Sequence, residues 1–198
     1  MKDKKTLNDA LLAEVGGTRP DIGKMRTLLE SGANANACAS HDITALHTLA
    51  LKPDESLDAV RLLIEYGADV EAFSLRESTP LAAAVRTGHT VMVEFFLQKN
   101  ADPNIGGELF GAPLVAIAAR KKYEKIVMLL LQYNATTDAL DGPDLAAIAP
   151  MRRRAERYAQ AQDKRGISEA DRIRRGMPTH RPLHTAKRIS LRPKGAGA

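Results

Sequence analysis

Thr44-Ala45-Leu46-His47 returns as Thr79-Pro80-Leu81-Ala82, as Ala112-Pro113-Leu114-Val115 and as Pro143-Asp144-Leu145-Ala146, so the starts at positions 44, 79, 112 and 143 are almost evenly spaced. A second landmark keeps nearly the same period. Gly32-Ala33, Gly67-Ala68, Asn100-Ala101 and Asn134-Ala135 recur at matching intervals. Each follows an apolar pair: Leu28-Leu29, Leu62-Leu63, Phe96-Leu97 and Leu129-Leu130. Two landmarks on one period are the mark of an internal repeat, and a period in this range points to a solenoid.

Within each repeat the apolar spacing is helical. Val60, Leu63 and Ile64 share a face, as do Val91, Phe95 and Phe96, and Ile126, Leu129 and Leu130. An Ala-rich segment precedes the last two of these, over 81–86 and 114–122. Alanine at inner positions lets two helices approach closely, which suits a thin layer stacked on its neighbours. Gly32 and Gly67 stand where a helix must end in a left-handed residue, and Asn100 and Asn134 replace them as the next-best tolerated type. Thr44 and Thr79 are expected at N-cap positions, with Pro80 and Pro113 in the first turn.

These residues resemble the ankyrin repeat, which pairs two antiparallel helices with a β-turn finger. The likeness rests on Thr44 to His47, Thr79-Pro80-Leu81, Pro113-Leu114, Gly88-His89 followed by Val91 and Val93, and the four Gly/Asn-Ala endings. It covers roughly residues 5–150. It implies an all-α solenoid with short fingers, built from a capping repeat, three full repeats and a degenerate closing one. The first repeat lacks the Thr-Pro-Leu start and carries an insertion near Thr18-Arg19-Pro20, which fits a polar N-terminal cap. An insertion over 52–56 lengthens the helix connection of the second repeat. The fifth is shortened before Asp141-Gly142-Pro143 and is expected to be interrupted at Pro150.

The chain has 198 residues and a net charge of +5, but the charge is divided. From Met151 onward there are fourteen Lys and Arg against four Asp and Glu; the preceding residues carry fifteen bases against twenty acids. The expected division is therefore a repeat domain over 1–150 and a basic C-terminal extension over 151–198, largely flexible and partly helical. Its helical candidates are Met151 to Arg165 and Ser168 to Arg175. One cysteine, Cys38, excludes an intramolecular disulfide framework and a multi-cysteine zinc site. No apolar run approaches a membrane span. The charged start lacks the hydrophobic stretch of a secretory signal, and Asp3, Asp9 and Glu14 argue against a mitochondrial presequence. The expected location is cytoplasmic, or nuclear in a eukaryotic host.

Each candidate for chemistry has a plainer structural reading. The resemblance makes His47 a link between adjacent turns and His89 part of a helix–helix turn. His41 belongs to an exposed finger. His180 and His184 have the spacing of helical metal ligands, but Pro178 and Pro182 oppose a helix there. Gly17 to Lys24 has a faint likeness to a phosphate loop, with the wrong spacing and with Met25 where Ser or Thr must hold magnesium. The expectation is no enzyme, no cofactor and no metal.

What remains is surface. Fingers fall near 38–42, 73–78, 105–111 and 138–142. Phe73, Leu75, Leu109 and Phe110 are large apolar residues in segments expected to be exposed, with Arg76 beside them. They are the expected contacts for a protein partner; the competing reading packs them against neighbouring fingers. The resemblance implies an adaptor, inhibitor or assembly subunit. The alternative is a nucleoprotein component in which Arg152, Arg153, Arg154, Arg174, Arg175, Lys187 and Arg188 neutralise RNA or DNA phosphates. Tyr158 alone offers a stacking surface there, so sequence-specific readout is not expected.

Overall fold

The structure is a computed structural model that describes residues 3–52, 56–106, 112–138 and 140–164. Leu109, Phe110, Arg174, Arg175, Lys187, Arg188 and the helix expected from Ser168 to Arg175 lie outside the described residues. Helices come in pairs: α1 (Lys4–Gly16) with α2 (Ile22–Glu30), α3 (Ala45–Ala50) with α4 (Leu57–Glu65), α5 (Pro80–Thr87) with α6 (Thr90–Gln98), and α7 (Leu114–Arg120) with α8 (Glu124–Gln132). A single long helix, α9 (Gly142–Lys164), follows. The first helices stack in order, α1 on α3, α3 on α5, α5 on α7 and α7 on α9, while α2 packs on α4 and α6 on α8.

The local signals act as their chemistry requires. The Thr79 hydroxyl accepts from Ala82 N at 3.2 Å, and Pro80 fills the first helical position of α5. Thr44 forms a reciprocal capping box with His47. Such caps contribute about 1 kcal/mol each. Pro113 departs from expectation by one position: it is the N-cap of α7, which starts at Leu114. Gly32, Gly67, Asn100 and Asn134 all take positive φ, at 99°, 83°, 66° and 66°. Each is followed by an alanine whose N–H returns to the preceding helix, as in Ala68 N to Leu63 O and Ala101 N to Phe96 O.

The core runs the length of the stack as one continuous cluster. Leu46, Leu49, Leu63, Leu81, Met92, Phe96, Leu114, Ile126 and Leu130 are fully buried. Ala82, Ala83 and Ala84 are buried as well, so α5 meets its neighbours almost backbone to backbone. The same closeness appears at Gly88, where a Cβ would lie 2.7 Å from Tyr123 Cζ.

A polar ladder joins the repeat endings along one edge. Asn36 Oδ1 accepts from Asp69 N at 2.7 Å, Glu71 Oε1 from Asp102 N at 2.6 Å, and Asn104 Oδ1 from Thr136 N at 2.7 Å. Asn36 and Asn104 also donate forward, to the carbonyls of Gly67 and Asn134. Asn8 begins the series by accepting from Asn34 N.

The chain end of the stack differs from the expected interruption. α9 runs unbroken through Pro150 for 23 residues. Pro150 has no N–H to donate, and one ladder bond to the Ala146 carbonyl is therefore missing. The helix persists because its inward stripe is unbroken: Asp144, Ile148 and Ala155 are buried and Met151 is half-buried. It packs on α7 and α8. The boundary drawn at residue 150 thus falls inside α9.

Candidate functional site

The second finger is tied at its base. Ser74 N donates to Ser78 O at 2.8 Å, and Ser78 N returns to Ser74 O at 3.0 Å. Glu77 N donates to Ser74 Oγ at 2.9 Å. These bonds close a loop over Leu75-Arg76-Glu77 and force Ser78 into the left-handed region at φ 65°. A serine held there is strained, and the surrounding bonds must hold it.

His47, on α3 of the preceding repeat, supplies one of them. Its Nε2 lies 2.9 Å from Ser78 O. Its Nδ1 accepts from Thr44 N at 3.2 Å, which leaves the proton on Nε2 for the Ser78 carbonyl. Burial holds the imidazole below its ordinary pKa of 6.5, although the Ser78 carbonyl and the nearby Glu77 carboxylate pull the other way. The histidine is therefore neutral in the fold, a structural link of the kind the resemblance implies.

Chain neighbours in this finger have opposite fates. Glu77 is 6% exposed and pairs with Arg86 on α5. Arg76 points outward, its side chain 71% exposed, with only a 4.0 Å approach to Glu77. Leu75 is 66% exposed and Phe73 55%. The structure thus sets Phe73, Leu75 and Arg76 in solvent on a loop anchored by Ser74, Glu77 and Ser78. Leu109 and Phe110 lie outside the described residues.

One apolar residue of the neighbouring finger was not singled out in the sequence. Ile105 is 41% exposed. Next to it, Gly106 has φ 99°, and a Cβ there would lie 2.7 Å from Ser78 Oγ. The third finger therefore starts directly on the base of the second. The signal in the sequence was Ile105-Gly106 itself, an apolar residue beside a glycine at a finger's start.

Further along, Arg120 on α7 reaches forward to α9. Its Nε donates to both Asp144 oxygens at 3.1 and 3.0 Å, and its Nη2 lies 2.6 Å from Asp144 Oδ2 and 3.7 Å from Asp141. Arg86 and Arg120 stand one repeat apart, so equivalent first helices each carry an arginine held by a buried carboxylate.

The other candidates take structural or exposed positions. His89 Nδ1 lies 3.2 Å from Ala50 O and 3.2 Å from Thr87 Oγ1. His41 and Cys38 are exposed. Among the described residues no group of three His, Cys, Asp or Glu is placed to hold a metal, and no helix is long and apolar enough to cross a membrane. The run Arg152-Arg153-Arg154 splays around α9. Arg152 is half-buried and its Nε donates to Glu156 at 3.2 Å, while Arg153 and Arg154 are exposed. Successive helical residues turn by about 100°, so three adjacent arginines do not form one face.

Comparison with known proteins adds the following. The family model described as ankyrin repeats (3 copies) matches residues 19–107. The glycerophosphocholine phosphodiesterase GDE1 of Candida albicans is 31% identical over 122 residues, which cover 61% of this chain and 10% of that protein. The palmitoyltransferase Hip14 of Drosophila melanogaster is 36% identical over 85 residues, 42% of this chain and 13% of its own. The human palmitoyltransferase ZDHHC13 is 35% identical over 91 residues, 45% of this chain and 14% of its own. The chain thus spans only a small fraction of the length of these curated relatives.

Proposed function

The chain is an ankyrin-repeat protein, and from that premise we propose that it is a protein-binding module whose partner seats on the second and third fingers. Ankyrin repeats generally mediate protein–protein interaction. The observation that carries the assignment to these fingers is the exposure of Phe73 and Leu75 on a loop whose base is tied on three sides. A loop already held in shape loses little conformational freedom on binding. Burying one such side chain contributes roughly 1.5–3 kcal/mol.

Arg76 gives the surface its charge preference. With Glu77 turned inward to Arg86, the outward guanidinium favours a partner segment with a carboxylate beside an apolar side chain. Leu109 and Phe110, outside the described residues, are the further partner contacts in this reading. The role is that of an adaptor, inhibitor or assembly subunit, working by shape and charge without bond chemistry. The relatives support a binding role from another side. Phosphodiesterase and palmitoyltransferase are unrelated chemistries, and a segment similar to both is better suited to recruitment than to either reaction.

The test is a partner capture with the full chain beside Phe73→Ala and Leu75→Ala. Each substitution is expected to weaken binding about 10-fold or more while the helical circular dichroism signal is kept. Full binding by both variants contradicts the assignment.

A further inference from the structure

The middle of α9, from Ala147 to Tyr158, borders an open groove with α6 and α8. Its two walls carry opposite charge. Glu94 on α6 and Glu124 with Lys125 on α8 stand on one wall, which is net negative, and Arg154 and Arg157 on α9 stand on the other. All five are exposed. Between them the surface is apolar, with Met128 and Leu129 half-buried and Tyr158 40% exposed.

The walls do not neutralise each other within the molecule. Among the described residues no ion pair joins Glu94 or Glu124 to Arg154 or Arg157. Glu94 takes a 3.4 Å contact from the Gln98 amide, and Arg157 Nε donates to the Arg153 carbonyl. Behind the acidic wall, the Tyr133 hydroxyl is pushed up to about 12, by burial first and then by the negative charge of Glu94 and the neighbouring Tyr158.

A patch with an acidic edge, an apolar floor and a basic edge is complementary to itself. A two-fold axis running along the groove turns one copy's basic edge onto the other's acidic edge, twice over. The same axis sets Met128, Leu129 and Tyr158 of the two copies facing each other across the joined grooves. We propose that this groove is a self-association face, and that its occupant is a second copy of this chain. Each copy lays the Arg154 and Arg157 edge of its α9 against Glu94 and Glu124 of the other. The proposal does not use the finger residues, so it stands or falls separately from the partner site.

The test is the mass of the full chain by light scattering over a concentration series, for the natural sequence and two charge-reversed variants. One carries Arg154→Glu with Arg157→Glu, the other Glu94→Arg with Glu124→Arg. The natural chain is expected near twice the mass of a single copy. Each variant alone is expected as a monomer, its self-association weakened about 100-fold or more by like charges facing each other. An equimolar mixture of the two is expected to recover the dimer, because reversed walls are complementary to each other. All four substitutions are at exposed positions, and unchanged circular dichroism checks folding. Should a reversed pair fail to fold, Arg154→Gln with Arg157→Gln and Glu94→Gln with Glu124→Gln give the same reading through loss of dimer alone. A monomer at every concentration up to about 0.1 mM overturns the proposal. So does a dimer that survives both reversals, or a mixture of variants that stays monomeric.

Discussion

His47 Nε2 donates to the Ser78 carbonyl across 2.9 Å, joining the first helix of one repeat to the finger of the next. The bond satisfies a carbonyl at the base of a strained turn and fixes the loop that exposes Leu75 and Arg76. Finger geometry is therefore coupled to the protonation state of a buried imidazole.

The coupling gives a pH dependence with a definite sign. The folded pKa of His47 lies below 6.5. Its contribution to stability is fully present above pH 6.5 and is lost as pH falls through the lower folded value, because only the unfolded chain takes up the proton readily. Urea midpoints measured from about pH 7.5 down to about pH 5 are expected to fall more steeply for the natural chain than for His47→Gln. At neutral pH, His47→Ala is expected to cost about 1–3 kcal/mol, the penalty of leaving a buried carbonyl unpaired. Parallel pH profiles for the natural chain and His47→Gln contradict this account.

Glu71 is the one carboxylate in the accepting series Asn36, Glu71, Asn104. Burial raises its pKa, opposed by the Asp102 N–H and assisted by the negative charges of Asp102 and Asp69. The sign here is reversed. Stability from this group is full below pH 4.5 and is lost as pH rises through the folded value. Glu71→Gln keeps the acceptor and removes the charge. At neutral pH it is expected to add about 0.2–0.5 kcal/mol of stability, a small gain because the site is half open to solvent. The gain should vanish once the carboxyl is protonated in both states, and a variant less stable at neutral pH contradicts the reading.

Gly88 combines a left-handed φ of 85° with a Cβ path that ends 2.7 Å from Tyr123 Cζ. Gly88→Ala is expected to cost about 1–3 kcal/mol through both backbone strain and overlap. In a Tyr123→Ala background the overlap is gone and only the backbone part remains. A double-mutant cycle separates the two, and strict additivity would show that the ring does not crowd this turn.

How much of this was legible in the sequence follows from the residues involved. The repeat was legible because its landmarks are imposed by local geometry. A left-handed helix end favours Gly or Asn, as at Gly67 and Asn100, and a helix start favours Thr, as at Thr79. The ladder through Asn36, Glu71 and Asn104 was not, because an acceptor whose donor lies a whole repeat away leaves no local signature. Arg76 and Glu77 could not be told apart in direction until the turn at Ser78 was fixed. Pro150 reads as a breaker on its own chemistry. The inward stripe of buried Ile148 and Ala155 with half-buried Met151 outweighs it.

That balance at Pro150 is itself testable. The proline is exposed and removes one helical bond, so Pro150→Ala is expected to stabilise the chain by about 1–3 kcal/mol and to raise its helical signal slightly. No gain in either would mean that α9 does not run through this position as one helix.

The central claim is that an anchored finger presents Phe73, Leu75 and Arg76 to a protein partner. The most direct measurement is the affinity of a captured partner for the full chain and for the Phe73→Ala, Leu75→Ala double variant, with folding checked by circular dichroism. The account predicts a loss of about 100-fold or more with the fold intact. Unchanged affinity in a folded double variant would contradict it and move the binding site away from the fingers.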